Sequence, residues 1–198
     1  MSNGYNIPMQ PVLVVSKCLG FGRCRYNGET LSDPTVERLK EHVDFIPVCP
    51  EMEVGLGVPR NPIRIVRGRS RRILYQPATK RDLTFAMRDY CAAFHARLDR
   101  VDGYILKARS PSCGPSRVKV FGGLKSKVVF AVGTGFFAAA ARRFCPGIPI
   151  EDEERLKDPL IRERFIDRIF APVRLRNRFN KGRARGFKRP KRSSRRQS

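Results

Sequence analysis

The sequence predicts an α/β fold with a Rossmann-like, mostly parallel sheet flanked by helices, followed by a C-terminal helix and a disordered basic tail. Short apolar runs typical of buried strands alternate with segments of helical periodicity, and this alternation indicates a parallel sheet covered on both faces. The end of the chain has no apolar periodicity and consists mainly of Arg, Lys, Gly and Ser, a composition typical of disorder. The fold class therefore follows from the order of the elements and from the point where their pattern stops.

Strands are predicted where β-branched and aliphatic residues form short runs. Val12–Val15 is a continuous apolar run, which is typical of a strand buried on both faces. A loop marked by glycines follows it, and Pro34–Val43 then predicts a short helix capped by Asp33. The other predicted strands are Phe45–Val48, Ile63–Val66, Ile73–Tyr75, Tyr104–Leu106, Val118–Phe121 and Val128–Val132.

Three further helices are predicted from apolar residues at three- and four-residue steps. The first is capped by Thr79 and runs to about Leu98. The second, Thr134–Phe144, is rich in Ala and Phe and is expected to be well buried. The third begins at Asp158-Pro159, and its apolar face ends at Phe170.

These elements are expected to form three regions. Residues 1–150 make the α/β domain, residues 151–170 a linker and helix, and residues 171–198 the disordered tail. The apolar pattern stops after Pro172, and Arg, Lys, Gly and Ser dominate from there to the end of the sequence.

The net charge of +23 is large, and it is shared between the tail and the predicted domain. Residues 171–198 hold 12 of the 41 Lys and Arg and no Asp or Glu, which leaves +11 on residues 1–170. A basic surface favours polyanions through counterion release. The basic tail is therefore a candidate binding site for nucleic acid.

The start of the chain lacks the basic segment and the apolar run of a secretory leader. No apolar run approaches the roughly 20 residues that cross a membrane. We therefore expect a cytoplasmic protein with no membrane partner. In a reducing compartment, its six cysteines are expected to bind metal, act in catalysis or pack in the core rather than form disulfides.

Three of these cysteines lie in loops that follow predicted strands. Cys18 and Cys49 come directly after the first two strands, and Cys113 lies in the loop after Tyr104–Leu106. Ligands bind beyond the carboxyl ends of parallel strands, so the three thiols can converge on one point. Thiolates select soft metals and iron–sulfur clusters, and three suffice for a [4Fe–4S] cluster that leaves one iron open. Buried or free thiols are the alternative.

The other three cysteines have weaker contexts. Cys24 is either a fourth ligand or a neighbouring thiol whose pKa the adjacent arginines would lower. Cys91, on the core face of its helix, and Cys145, at a helix end, are expected to pack.

Few other residues suggest chemistry from sequence alone. Glu51 follows Cys49 by two positions and is a candidate general acid or base, or else an exposed loop residue. Ser110 and Ser112 could hold a ligand or only stabilise a turn. Gly133-Thr134-Gly135 could cradle a phosphate before a helix, although it completes no nucleotide-binding fingerprint.

Four segments together resemble the TudS-like thiouracil desulfurase family. They occur in the family's order and the likeness extends from about Pro11 to Ile150: Ser16–Leu19, Arg25–Gly28, Val48–Glu51 and Lys107–Gly114.

The resemblance implies a Rossmann-like domain that removes sulfur from a small thiolated nucleobase. It further implies that Cys18, Cys49 and Cys113 bind a [4Fe–4S] cluster whose fourth iron is open, and that Glu51 and Ser110 are catalytic.

Other segments are similar to a subgroup in which this domain precedes a YbgA-like helical domain: Glu51–Arg60, Asp102–Lys107 and Pro149–Phe170. Here the last of these leads instead into basic, unpatterned sequence, so a shortened form is expected. Three functions stay open at this point: a desulfurase acting on a small thio-compound or thiolated RNA, a nucleic-acid-binding accessory protein using its tail, and an inactive remnant.

Overall fold

The computed structural model describes residues 10–186, with side chains for residues 10–177, and shows two β-sheets and five α-helices. The strands are Val12–Ser16 (β1), Asp44–Val48 (β2), Arg64–Arg67 (β3), Arg72–Gln76 (β4), Arg81–Asp82 (β5), Gly103–Leu106 (β6), Val118–Phe121 (β7), Val129–Gly133 (β8) and Ile150–Asp152 (β9). The helices are Pro34–Leu39 (α1), Pro50–Glu53 (α2), Thr84–Ala96 (α3), Phe136–Phe144 (α4) and Pro159–Gly186 (α5), with a 3-10 turn at Arg155–Lys157.

The first sheet is fully parallel, with strand order β2-β1-β6-β9. Its register pairs Ser16 with Val48 and Leu106 with Asp152, so the carboxyl ends of all four strands lie at one edge. This part of the α/β prediction is confirmed.

Both faces of the parallel sheet are buried, which explains the unbroken apolar run of β1. Val14 faces one core with Tyr104 of β6, while Leu13 and Val15 face the other with Ile105. Neighbouring residues alternate between the two faces of a strand, so every residue of the run must be apolar. The first core also holds the inner faces of α3 and α4, and the second holds those of α1 and α5.

The remaining strands form a separate five-stranded sheet, order β5-β4-β3-β7-β8, which the expectation of one mostly parallel sheet did not include. In this sheet only β3 and β7 are parallel neighbours. Strand β4 runs antiparallel to β3, because the two are joined by a tight turn in which the Gly68 N–H donates to the Arg71 carbonyl at 2.9 Å. Alternating apolar residues of this sheet pack into the first core. Periodicity reveals strands but not which sheet they join.

Cap chemistry explains where two helices start. The Asp33 carboxylate accepts bonds from the N–H groups of the first turn of α1, at 3.0 Å each, as predicted. The predicted start of α3 at Thr79 is wrong: the Thr79 hydroxyl donates to Gln76 at 2.6 Å in the turn between β4 and β5. The helix starts at Thr84, whose N–H donates to the Asp82 carboxylate at 2.8 Å.

The predicted division at residue 150 does not coincide with a break in the core. Strand β9 extends the parallel sheet, and the segment after it buries Leu156, Phe165 and Ile169 against β1 and β6. Gly103 permits this contact, because a Cβ there would lie 2.7 Å from a methyl group of Ile169.

The C-terminal helix is longer than predicted. It continues through Pro172 to Gly186, and Val173 is still buried. The Arg176 guanidinium donates to buried Asp102 at 2.7 Å, which fastens this part of the helix to the sheet. The described helix thus includes residues 171–186 of the segment predicted to be disordered, and residues 187–198 lie outside the described part of the chain. No helix in the described part is long and apolar enough to span a membrane.

Buried His95 predicts a pH-dependent stability. The ring lies among Phe94, Phe137 and Phe144, its Nδ1 is 2.6 Å from the Cys91 carbonyl, and burial lowers its pKa. Below about pH 6.5, His95 therefore binds a proton in the unfolded chain but stays neutral in the folded chain until a lower pH. The free energy of unfolding consequently falls as the pH falls.

Urea denaturation at pH 7.5 and 5.5 tests this expectation. His95→Phe should lose less unfolding free energy between these two pH values than the unsubstituted protein. Exposed His42→Gln is the control and should leave the difference unchanged. Equal pH dependence in His95→Phe and the unsubstituted protein would refute the assignment.

Candidate functional site

A cleft of about 420 Å³ lies at the carboxyl edge of the parallel sheet. Five residues singled out from the sequence line this one cleft: Cys18, Cys49, Cys113, Glu51 and Ser110. They meet because the loops that carry them leave β1, β2 and β6, which are neighbours in the sheet, at the same edge. The three loop thiols therefore line one cleft.

A fourth thiol, Cys24, lies in the same cleft and contacts two of the other three. Hydrogen bonding with Cys18 is the main cause that raises the pKa of Cys24 to about 11. The Cys49 thiol donates to the Cys24 carbonyl at 3.6 Å, and bonding to Cys24 together with burial raises the pKa of Cys49. Both pKa shifts favour the protonated thiol, and a metal would displace the proton of any thiol that it binds.

The turn from Ser110 to Cys113 is held by a side-chain hydroxyl. Ser110 Oγ accepts from the N–H groups of Ser112 at 3.3 Å and Cys113 at 3.1 Å. Burial raises the pKa of the Cys113 thiol, and hydrogen bonding with Ser16, at the end of β1, opposes this rise. Ser110 therefore shapes the loop that presents Cys113.

The first turn of α4 donates hydrogen bonds to the same loop. Its Gly135, Phe136 and Phe137 N–H groups donate to carbonyls of residues 114, 111 and 112 at 2.7, 3.1 and 2.8 Å. Gly135 is needed for this approach, since a Cβ there would lie 2.5 Å from the Ser112 carbonyl oxygen. These three N–H groups at the start of α4, next to the phosphate cradle suggested for Gly133-Thr134-Gly135, therefore already have protein partners.

Glu51 sits at the centre of a polar chain in the cleft wall. Its Oε2 accepts from Arg60 Nε at 2.8 Å, in an ion pair with little solvent exposure. Its Oε1 accepts from the hydroxyl of fully buried Ser112, whose Oγ is 3.2 Å from Ser110 Oγ. This chain fixes the carboxylate and gives it a hydroxyl partner through which a proton can move.

Acidic residues after β9 hold the loop on the opposite side. Buried Glu153 accepts from the Lys107 ammonium and from the Ala108 N–H, the latter at 2.7 Å. Exposed Arg109, with φ of 58°, pairs with Glu154. The acidic run at residues 151–154, assigned above to a linker, thus belongs to the support of the site.

Two of these interactions, the Glu51–Arg60 pair and the contacts of Glu153, were not predicted from the sequence. Nothing in the spacing of Glu51 and Arg60 indicated that they would pair, because the nine-residue separation spans α2 and an irregular loop. Glu153 was visible only as one member of an acidic run. Glu153 reaches the loop after β6 only because β9 joins the sheet beside β6.

Four cysteine thiols line the cleft, and thiolates are ligands that soft metals and iron–sulfur clusters prefer. Among the described residues, no group of three or more His, Cys, Asp or Glu side chains is close enough to hold one metal ion. A four-iron cluster is larger, and it takes its thiolates at separate corners. Thiols from three different loops around one cleft match that requirement.

Comparisons with known proteins give one family model, a sequence relative and a similar solved structure. The family model of 2-thiouracil desulfurase matches residues 13–153. An uncharacterised protein of Bacillus subtilis, YbbK, is 29% identical over 158 residues, covering 75% of this chain and all of the relative. The solved structure of the [4Fe-4S]-dependent thiouracil desulfidase TudS is similar with a TM-score of 0.55 and 25% identity, covering 75% of this chain and 94% of that chain.

The buried pair of Glu51 and Arg60 predicts a large stability effect. Arg60→Met leaves the carboxylate without its cation, which should lower the unfolding free energy by about 3 kcal/mol. Arg174→Met breaks the exposed pair with Asp167 and removes the same charge, so its cost should stay below about 1 kcal/mol. Urea denaturation of both variants measures the difference, and equal costs would contradict the assignment.

Proposed function

Because the chain belongs to the 2-thiouracil desulfurase family, we propose that it is an iron–sulfur-dependent enzyme that removes sulfur from a small thiolated nucleobase such as 2-thiouracil. The observation that carries the proposal is the meeting of Cys18, Cys49 and Cys113 with Glu51 in one cleft. The likeness to a [4Fe-4S]-dependent desulfidase supports it.

The proposed ligands of a [4Fe–4S] cluster are Cys18, Cys49 and Cys113. When bound by three thiolates, such a cluster leaves one iron free as a Lewis acid for the sulfur of a substrate. Cys24 is not assigned as a ligand, because the other three follow three adjacent strands and so surround the cleft, whereas Cys24 follows Cys18 in the same loop.

The cleft wall offers a suitable place for a pyrimidine. Val48, Pro62 and Ile63 contribute apolar surface, while Glu51 and Arg60 contribute polar groups. A site of this size with an apolar lining and a few fixed polar groups is typical of small-molecule sites.

Glu51 is proposed to move protons during the reaction. Replacing the sulfur by oxygen forms a carbon–oxygen bond to water and breaks the carbon–sulfur bond, so water and thiouracil give uracil and hydrogen sulfide without a redox change. The Glu51 carboxylate would take a proton from the attacking water and return it to the departing sulfur. Arg60 and Ser112 hold the carboxylate in place, and Ser110 orders the loop beside it.

A desulfuration assay on the anaerobically reconstituted protein tests this role. Glu51→Gln keeps the size of the side chain but cannot take up a proton, so kcat should fall by about a hundredfold or more. The visible absorbance of the cluster should stay unchanged. Glu53→Gln, an exposed residue of the same short helix, is the matched control and should keep its activity. Full activity in Glu51→Gln would overturn the assignment of the proton carrier, and an inactive unsubstituted protein would overturn the proposed function.

A further inference from the structure

A second surface of the molecule is strongly basic and has no part in the proposed desulfuration. Two clefts of about 440 and 520 Å³ adjoin each other and share Arg71 and Arg72. No Asp or Glu lines either cleft. The cations that line them, called here the arginine surface, are Arg67, Arg69, Arg71, Arg72, Arg88 and Arg143.

The charge of this surface is not balanced within the second sheet. Residues 64–82 contain seven Lys and Arg and a single carboxylate, Asp82, which caps α3. Residues 117–133 contain four Lys and Arg and no Asp or Glu. None of the six arginines forms an ion pair with another residue in the described part of the chain. Such a concentration of unpaired cations attracts polyanions.

Aromatic rings are interleaved with the cations. The Arg67 guanidinium lies 4.3 Å from the ring centroid of Phe130, which is 57% exposed. The Arg143 guanidinium lies 5.6 Å from the ring centroid of Phe144, which is 46% exposed. Arg88 lies 5.8 Å from the Phe136 ring. Exposed apolar surface that is rimmed by charged groups is typical of interaction sites.

We propose that the arginine surface and its phenylalanines bind single-stranded nucleic acid. Guanidinium groups neutralise successive phosphates, and exposed aromatic faces stack on unpaired bases of any sequence. An acidic protein or an anionic membrane would use the cations but not the stacking, and a duplex keeps its bases stacked on each other.

This site lies on the folded body, whereas the sequence suggested nucleic acid only for the basic tail. The proposal does not depend on the desulfurase activity, because RNA without sulfur is sufficient to measure binding and no cluster is needed.

Fluorescence anisotropy with the full chain and a labelled 12-nucleotide oligouridine tests the electrostatic part. Arg69→Gln with Arg71→Gln removes two exposed cations, so binding should weaken about tenfold and the salt slope should fall by roughly 0.7 for each phosphate that is no longer neutralised. Arg97→Gln with Arg164→Gln removes the same charge from exposed positions elsewhere and should change the affinity less than about twofold.

The stacking part is tested separately with Phe130→Ala. Affinity should fall roughly tenfold while the salt slope stays the same, because no charge is removed. Phe85→Ala is the control, since Phe85 is 82% exposed and lies outside both clefts. Circular dichroism should show all variants folded, as every changed side chain is exposed.

Four results would overturn the proposal. The first is an unsubstituted protein that does not bind oligouridine. The second is an equal loss of affinity in the two double-arginine variants, which would show that binding depends on total charge or on the tail. A Phe130→Ala variant with unchanged affinity would indicate a purely electrostatic surface for an acidic partner. Equally tight binding of a duplex of the same length would exclude single-strand preference.

Discussion

The parallel register of β2, β1 and β6 is the constraint on which the site depends. It pairs Val15 with both Pro47 and Ile105, so the three strands end at the same level and their loops open into one cleft. A slip of one residue would reverse the faces of β1 and move its loop relative to the other two. Because β1 is apolar on both faces, its register is set by how its side chains fit the two close-packed cores and not by polarity.

The thiol-bearing loops are then fixed by polar groups that come from distant parts of the chain. The N–H groups of α4 hold the Cys113 loop, and Glu153 holds the segment just before it. The bonds from the Phe137 N–H to Ser112 and from the Ala108 N–H to Glu153 join buried residues, so breaking either would leave an unsatisfied polar atom in the interior. The candidate site is therefore a product of the whole domain, including β9 and α5, which follow the predicted domain boundary.

Local signals explain which parts of this arrangement were predictable. The run at Val12–Val15, the cap at Asp33 and the thiols after neighbouring strands depend on residues close in sequence, and the structure agrees with each. The second sheet, the pairing of Glu51 with Arg60 and the continuation of α5 past Pro172 depend on long-range packing. Proline costs a helix one backbone bond, yet burial of Val173 and the bond from Arg176 to Asp102 compensate for it.

Three loop thiols are proposed to form one cluster site, and iron analysis of cysteine variants tests this proposal most directly. After anaerobic reconstitution, the unsubstituted protein and Cys91→Ala should hold iron and acid-labile sulfide equivalent to one [4Fe–4S] cluster per chain. Cys18→Ala, Cys49→Ala and Cys113→Ala should each lose that content and the brown colour, while Cys24→Ala should keep both. A colourless unsubstituted protein, or a Cys113→Ala variant that retains its iron, would contradict the account.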